Sequence, residues 1–188
     1  MRSCKSNAQK DRNSLYLMVN DEQFMQNARM DFGKSSKTPD AFDLAILRRL
    51  QEDCTQPHRQ IGEAVNLSTA SVQRRIRRME KEGVIAAQTA HIDPKTVGLS
   101  LTIIVEVEIK TETAGRIDEM KRGFEEAPEI QQCYYVTGEV DFILIVIVGD
   151  MSEYEDLTQR LFFSNENVRK FRTFVTMDRT KATMGLNI

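Results

Sequence analysis

Arg74, Arg75, Arg77 and Arg78 crowd four guanidinium groups into five consecutive positions, and Lys81 adds a cation one turn further on. Just upstream stand Ser68, Thr69, Ala70, Ser71 and Gln73, all small or hydrogen-bonding. A guanidinium pairs bidentately with guanine and a Gln carboxamide with adenine. Cations that do not read bases grip phosphates and fix register. The chemistry on offer is therefore recognition of double-stranded DNA. Residues near the start of a recognition helix read base edges, which favours Thr69, Ala70, Ser71, Gln73 and Arg74. The later cations, among Arg75, Arg77, Arg78 and Lys81, suit phosphates, although spacing alone does not assign one arginine to one task. The competing reading is a solvated helix face, its last turn neutralised by Glu80 and Glu82.

A base-reading helix needs a frame, and residues 40 to 85 supply one. Leu44, Leu47 and Leu50 follow Asp43 at helical spacing, with Ile46 beside them. Pro57 opens a second, shorter helix through Ile61, Ala64 and Val65, at the first helical position where Pro is tolerated. Asn66 suits the left-handed turn that follows, and Ser68 is a good N-cap for the arginine-bearing helix. That helix sets Val72, Ile76 and Met79 on one face and ends at Gly83. The second and third helices read as a helix-turn-helix packed on the first. Residues 86 to 92 are expected to form a short connecting strand.

Beyond the Asp93-Pro94 punctuation the period falls to two. Leu101, Ile103, Val105, Val107 and Ile109 alternate with Thr102, Ile104, Glu106 and Glu108, a half-buried strand. A helix over 114–126 stops before Pro128, and strands follow over 130–137 and 142–148, joined by the turn Gly138-Glu139-Val140-Asp141. Ser152 to Glu155 has the spacing of a capping box for a further helix, and 168–177 is the last strand. The order β-α-β-β-α-β is the ferredoxin-like arrangement. The fold class is α+β: an N-terminal three-helix, winged-type helix-turn-helix domain and a C-terminal ferredoxin-like domain. The expected division is a flexible arm over 1–39, linker-like at Gly33 to Asp40, a DNA-binding domain with its connecting strand over 40–92, and a ferredoxin-like domain over 93–188.

The formal net charge of -2 conceals an uneven distribution. Residues 40–92 hold eight Lys/Arg against seven Asp/Glu, and 93–188 hold eleven against seventeen, so an acidic chain still presents one basic helix. Enzyme chemistry finds little support. His58 and His91 both precede the second domain, no Ser/His/Asp or Cys/His constellation is visible, and no phosphate loop occurs. Cys4, Cys54 and Cys133 are odd in number and widely spaced, which implies neither a disulfide framework nor a metal set. No cofactor or metal is expected. No apolar run approaches the roughly 18 residues of a membrane span, and the N-terminus lacks a signal-peptide core. The expectation is a cytoplasmic protein without membrane contact. Two rivals stay open: an enzyme on the ferredoxin-like domain, and an assembly module that does not bind DNA.

Four segments in fixed order carry a family resemblance: DAFDLAIL (Asp40–Leu47), IGEAVNLS (Ile61–Ser68), RIRRMEKEGVI (Arg75–Ile85) and TGEVDF (Thr137–Phe142). Together they resemble the Lrp/AsnC family of feast/famine regulators over about residues 40–188. The resemblance implies a DNA-binding transcriptional regulator that dimerises through its second domain, builds higher homo-oligomers and responds to an amino acid or related small molecule. It thereby implies that residues 93–188 are the effector-binding and oligomerisation domain. It also implies effector contact at Thr137, Gly138, Glu139, Val140 and Asp141, with Thr173 and Thr176 as further candidates. The turn has matching chemistry: Gly138 permits close backbone approach, exposed N–H groups can hold a carboxylate, and Asp141 can pair an ammonium. The plain alternative is a hairpin turn in which Gly138 bends the chain and Asp141 accepts local hydrogen bonds. Two departures stand out. Asn66 replaces the family's usual Gly in the interhelical turn, and Gln56-Pro57 replaces an apolar residue and a Ser-type cap, which alters the start of the second helix but leaves the recognition helix in place.

Overall fold

In the computed structural model the described residues are 38–188. The expected arm, residues 1–39, lies outside them except for Thr38 and Pro39. The chain divides into two units, one reaching Gln88 and including Asn187 and Ile188, the other Thr89–Leu186. The division thus falls within the segment read as a connecting strand rather than at Asp93-Pro94.

The first unit holds α1 (Ala41–Glu52), α2 (His58–Val65) and α3 (Thr69–Lys81). A reciprocal capping box starts α1: the Asp40 carboxylate accepts the Asp43 N–H at 2.9 Å, and Asp43 accepts the Asp40 N–H at 3.1 Å. Pro57 is the N-cap of α2, one place earlier than expected, with φ -58° and ψ 136°. Asn66 ends α2 in the left-handed region, at φ 56° and ψ 44°, the conformation its side chain tolerates better than most. After α3, Gly83 takes φ 74°, and the Val84 and Gly83 N–H groups bond the Met79 and Glu80 carbonyls at 2.8 and 3.1 Å, a Schellman closure. Ile46, Ile61, Val65, Val72, Ile76 and Met79 form the core. Because that core draws one stripe from α3, the opposite side of α3 faces outward.

The second unit is a four-stranded antiparallel sheet ordered β2-β3-β1-β4, formed by β1 (Leu101–Ile109), β2 (Ile130–Tyr135), β3 (Phe142–Val148) and β4 (Val168–Val175). Helices α4 (Ala114–Glu125) and α5 (Met151–Thr158, continued by a wider turn over Gln159–Phe163) complete the β-α-β-β-α-β order. Ile103, Val105, Val107 and Ile109 of β1 are buried with Met120 and Phe124 of α4 and with Tyr154, Leu157 and Phe162. The alternate residues point to the other side. Ile104 stands opposite Ile145 and Phe174, and Glu106 opposite Ile143 and Arg172, with a 2.8 Å ion pair between Glu106 and Arg172.

Two local expectations need correction. Residues 86–92 form no strand; all are exposed, and no ladder among the described residues includes them. Their side chains are compatible with an extended chain, but a strand requires a neighbour with free backbone groups. The cap of α5 is Asp150, not Ser152: its carboxylate accepts the Ser152 and Glu153 N–H groups at 2.9 and 3.0 Å. Asp at the helix start captures the orphan N–H groups before Ser152 can.

Candidate nucleic-acid interface

The turn that sets α3 is close-packed. The Leu67 N–H reaches the Gly62 carbonyl at 2.9 Å, and a Cβ built on Gly62 would lie 2.6 Å from the Leu67 carbonyl oxygen. Gly62 was not singled out in the sequence; its place one turn before Asn66 was the available signal. Ser68 then caps α3, its Oγ accepting the Ser71 N–H at 3.2 Å. That use leaves Ser71 half-buried and ties both hydroxyls together at 3.1 Å.

From this start the helix sorts its side chains by angle. Val72, Ile76 and Met79 are buried. Thr69, Ala70, Gln73, Arg74, Arg77 and Lys81 are exposed. Among the described residues no ion-pair partner engages Arg74, Arg77 or Lys81. Arg75 and Arg78 behave differently. Arg75 Nη1 donates to Asp40 at 2.7 Å and to Asp43 at 2.8 Å, while Arg78 Nη2 donates to the other Asp43 oxygen. The Arg75 guanidinium also sits 5.5 Å from the centre of the Phe42 ring. Hydrogen bonding from Arg75, then from the Asp43 N–H, holds the Asp40 carboxyl below its usual range, and the bonds to Asp40 and Asp43 keep Arg75 more firmly protonated than usual. The basic cluster is thus two surfaces: an outward row and an inward, neutralised pair.

The second-domain candidates are less concentrated. Gly138 adopts φ 132°, exposed at the tip of the β2–β3 turn beside exposed Thr137 and Glu139, with Val140 half-buried. Asp141 braces the turn: its N–H bonds the Val107 carbonyl at 2.9 Å, and its Oδ2 accepts the Ile109 N–H at 2.7 Å, where the β1 register shifts. Thr173 lies opposite Val105 on the helix-covered side, its hydroxyl 2.6 Å from that of Tyr154. Thr176 donates to the Thr102 carbonyl at 2.9 Å, at the far end of β1 from the turn. One chain therefore does not bring Thr176 and the Gly138 turn together. A cavity of about 460 Å³ opens instead between α4 and β2, lined by Lys121, Phe124, Glu125, Ile130, Cys133 and Tyr135. Burial pushes the Cys133 thiol up. No sequence periodicity announced this cavity, because it depends on how α4 leans on β2. Among the described residues no His/Cys/Asp/Glu group suits a metal ion, and no helix is long and apolar enough to cross a membrane.

Comparison with known proteins bears on both units. Residues 40–80 match the AsnC-type helix-turn-helix domain and residues 102–186 the Lrp/AsnC ligand binding domain. An uncharacterized HTH-type transcriptional regulator of Sinorhizobium fredii is 37% identical over 171 residues, 91% of this chain and 97% of the relative. The chain belongs to the Lrp/AsnC family of transcriptional regulators. Its fold agrees with that of Lrp/AsnC relatives of known structure. An AsnC family transcriptional regulator from Agrobacterium tumefaciens superposes with a TM-score of 0.73 at 32% identity, covering 78% of this chain and 95% of that one. A transcriptional regulator from Neisseria meningitidis, solved in complex with L-Met, gives 0.71 at 26% identity, with 78% and 95% covered. As an Lrp/AsnC member, this protein is a DNA-binding regulator of transcription built on an α+β fold.

Proposed function

We propose that this regulator binds a palindrome-like duplex site as a homodimer, inserting α3 of each copy into the major groove, and that a free amino acid or related small molecule adjusts the binding. The outward row of Thr69, Gln73, Arg74 and Arg77 carries the reading, since these side chains are exposed on a helix whose opposite face is locked in the core. Gln73 and Arg74 take base edges; Arg77 and Lys81 take phosphates. Two half-sites then lie one or more helical turns apart. The uncovered side of the sheet supports the dimer: Ile104, Ile143 and Ile145 stand there with Phe174 and Tyr134, each of the last two 49% exposed. A second copy of this chain is the occupant we assign to it, and higher homo-oligomers build on that dimer. We place the protein in the cytoplasm, where its DNA is.

The effector site we assign is the Gly138–Asp141 turn with Thr137. It is supported by the exposed, glycine-opened backbone and by the amino-acid complex of the Neisseria relative. The Asp141 carboxylate already serves Ile109, so ligand contact there falls mainly on backbone N–H groups and on Glu139. Thr176, at the far end of β1, would join such a site only from another copy, and the Thr173 hydroxyl is already engaged by Tyr154. Effector binding shifts DNA affinity only through unequal affinity for two assemblies or two head spacings.

The experiment is titration of the duplex upstream of the protein's own coding region with wild type, Arg74→Ala and Arg77→Ala. Each substitution is expected to weaken binding, and Arg77→Ala to flatten its salt dependence as well. Unchanged affinity and salt dependence in both would sink the assignment, and turnover of an amino-acid substrate would favour the enzyme reading instead. Thermal-shift screening against the twenty amino acids identifies the effector, because a ligand of the folded state raises its stability.

A further inference from the structure

We infer that the four arginines of α3 are divided between two tasks: Arg75 and Arg78 form an internal clamp on Asp43 that fixes the rotation of α3, and of the four only Arg74 and Arg77 meet DNA. The inference rests on the DNA-binding reading of α3 and refines it.

Asp43 is the anchor. It is only 1% exposed, although it is a carboxylate in the first turn of α1. A charge so placed persists only when paired and hydrogen-bonded. Both oxygens are satisfied: Oδ1 by Arg75 at 2.8 Å, Oδ2 by Arg78 and by the Asp40 N–H at 3.1 Å. Asp40 adds a second anion to Arg75 at 2.7 Å, and Phe42 lies under the guanidinium. Arg75 is accordingly 20% exposed at its side chain and Arg78 37%.

Helix geometry explains the division. Positions 75 and 78 are three apart and flank the buried Val72–Ile76–Met79 stripe, so they meet α1. Positions 74 and 77 are one step round, on the exposed side. Moving Arg75 to a phosphate would leave Asp43 Oδ1 without its donor in the core, and moving Arg78 would leave Asp43 with a single cation, so a phosphate cannot draw either away cheaply. The clamp spans α1 and α3, the elements whose mutual rotation decides which side chains point at a groove. Asp43 is thus a positioning residue for recognition, and the effective cation count of α3 is smaller than its sequence suggests.

The test compares Arg74→Ala, Arg75→Ala, Arg77→Ala and Arg78→Ala in the full chain by two readouts, salt dependence of duplex binding and thermal melting. Arg77→Ala is expected to reduce the slope of log affinity against log salt by about 0.9 per lost phosphate contact, and Arg74→Ala, which removes a base contact, to lower affinity with a smaller change of slope; both leave melting unchanged. Arg75→Ala and Arg78→Ala are expected to leave the slope unchanged and to lower the melting temperature, by roughly 10 °C or more for Arg75. If an alanine variant does not fold, Arg75→Gln and Arg78→Gln keep more of the side chain without its charge and carry the same slope expectation. A slope loss of about 0.9 on substituting Arg75 or Arg78, with melting unchanged, overturns the division. Failure of the wild-type protein to bind any duplex at low salt overturns the DNA-binding reading itself, and the division with it.

Discussion

Replacing Gly62 by Ala adds a single methyl group at the place where α2 turns into α3. The added Cβ would stand 2.6 Å from the Leu67 carbonyl oxygen. Ordinary close C···O approaches in proteins begin at about 3.3 Å, so the turn must open by roughly 0.7 Å. The obstacle is backbone, not a flexible side chain, and the Leu67 N–H is bonded to Gly62 at 2.9 Å. Overpacking of this kind costs about 1–3 kcal/mol. Ala recovers about 0.5–1 kcal/mol through its better helix propensity. The net loss is about 0.5–2 kcal/mol, which for a small unit lowers the melting temperature by roughly 3–15 °C. Because the strain displaces Leu67 and Ser68, it also moves the start of α3, so duplex affinity falls at temperatures where the variant is folded. Gly123→Ala is the control: it lies within α4, and nothing lies within 4 Å of its added Cβ, so melting stays level or rises. Circular dichroism melting and duplex titration read both effects. A Gly62→Ala protein that melts and binds like wild type would refute the steric argument and the role assigned to the turn.

Three further outcomes follow from the same structure. Asn66→Gly is expected to change stability by a few tenths of a kcal/mol, whereas Asn66→Val, which must hold φ 56° with a branched side chain, costs about 1–2 kcal/mol; denaturant melts separate them. Gly138→Val, at φ 132°, is strained by about 1–3 kcal/mol and should abolish the thermal shift given by the effector while leaving duplex binding without effector intact. The Asp40 carboxyl is held below its ordinary value, chiefly by Arg75. Its contribution is therefore fully present above about pH 4 and is lost as pH falls through the lowered value. Asp40→Asn, which keeps an N-cap side chain, is expected to melt with a flatter pH dependence in that acid range.

The helices and the β-α-β-β-α-β order were legible because burial writes its period into the sequence: Val72, Ile76 and Met79 at helical spacing, Ile103, Val105 and Val107 at alternate places. Asn66 and Gly83 were legible from the backbone angles their positions require. What depends on distant partners was not. Arg75 and Arg78 look like Arg74 and Arg77 in a charge run, and only the approach of Asp43, more than thirty residues away, separates them. Two clues existed: both flank the apolar stripe, and Asp43 stands among leucines. Residues 86–92 read as a strand because pattern reports compatibility with extension, not the presence of a partner. The Asp141 carboxylate accepts the N–H of Ile109, a partner on another strand that the sequence of the turn does not name. The cavity beside β2 had no sequence signature at all.

The most direct measurement places a photo-crosslinking side chain at Gln73, on the exposed face of α3, and irradiates the full-length protein on its upstream duplex. Crosslinks from position 73 to bases within a bounded site, suppressed by competitor duplex of the same sequence, are the predicted result. Retained duplex binding with no crosslink from position 73 would contradict it, since DNA would then be meeting some other surface.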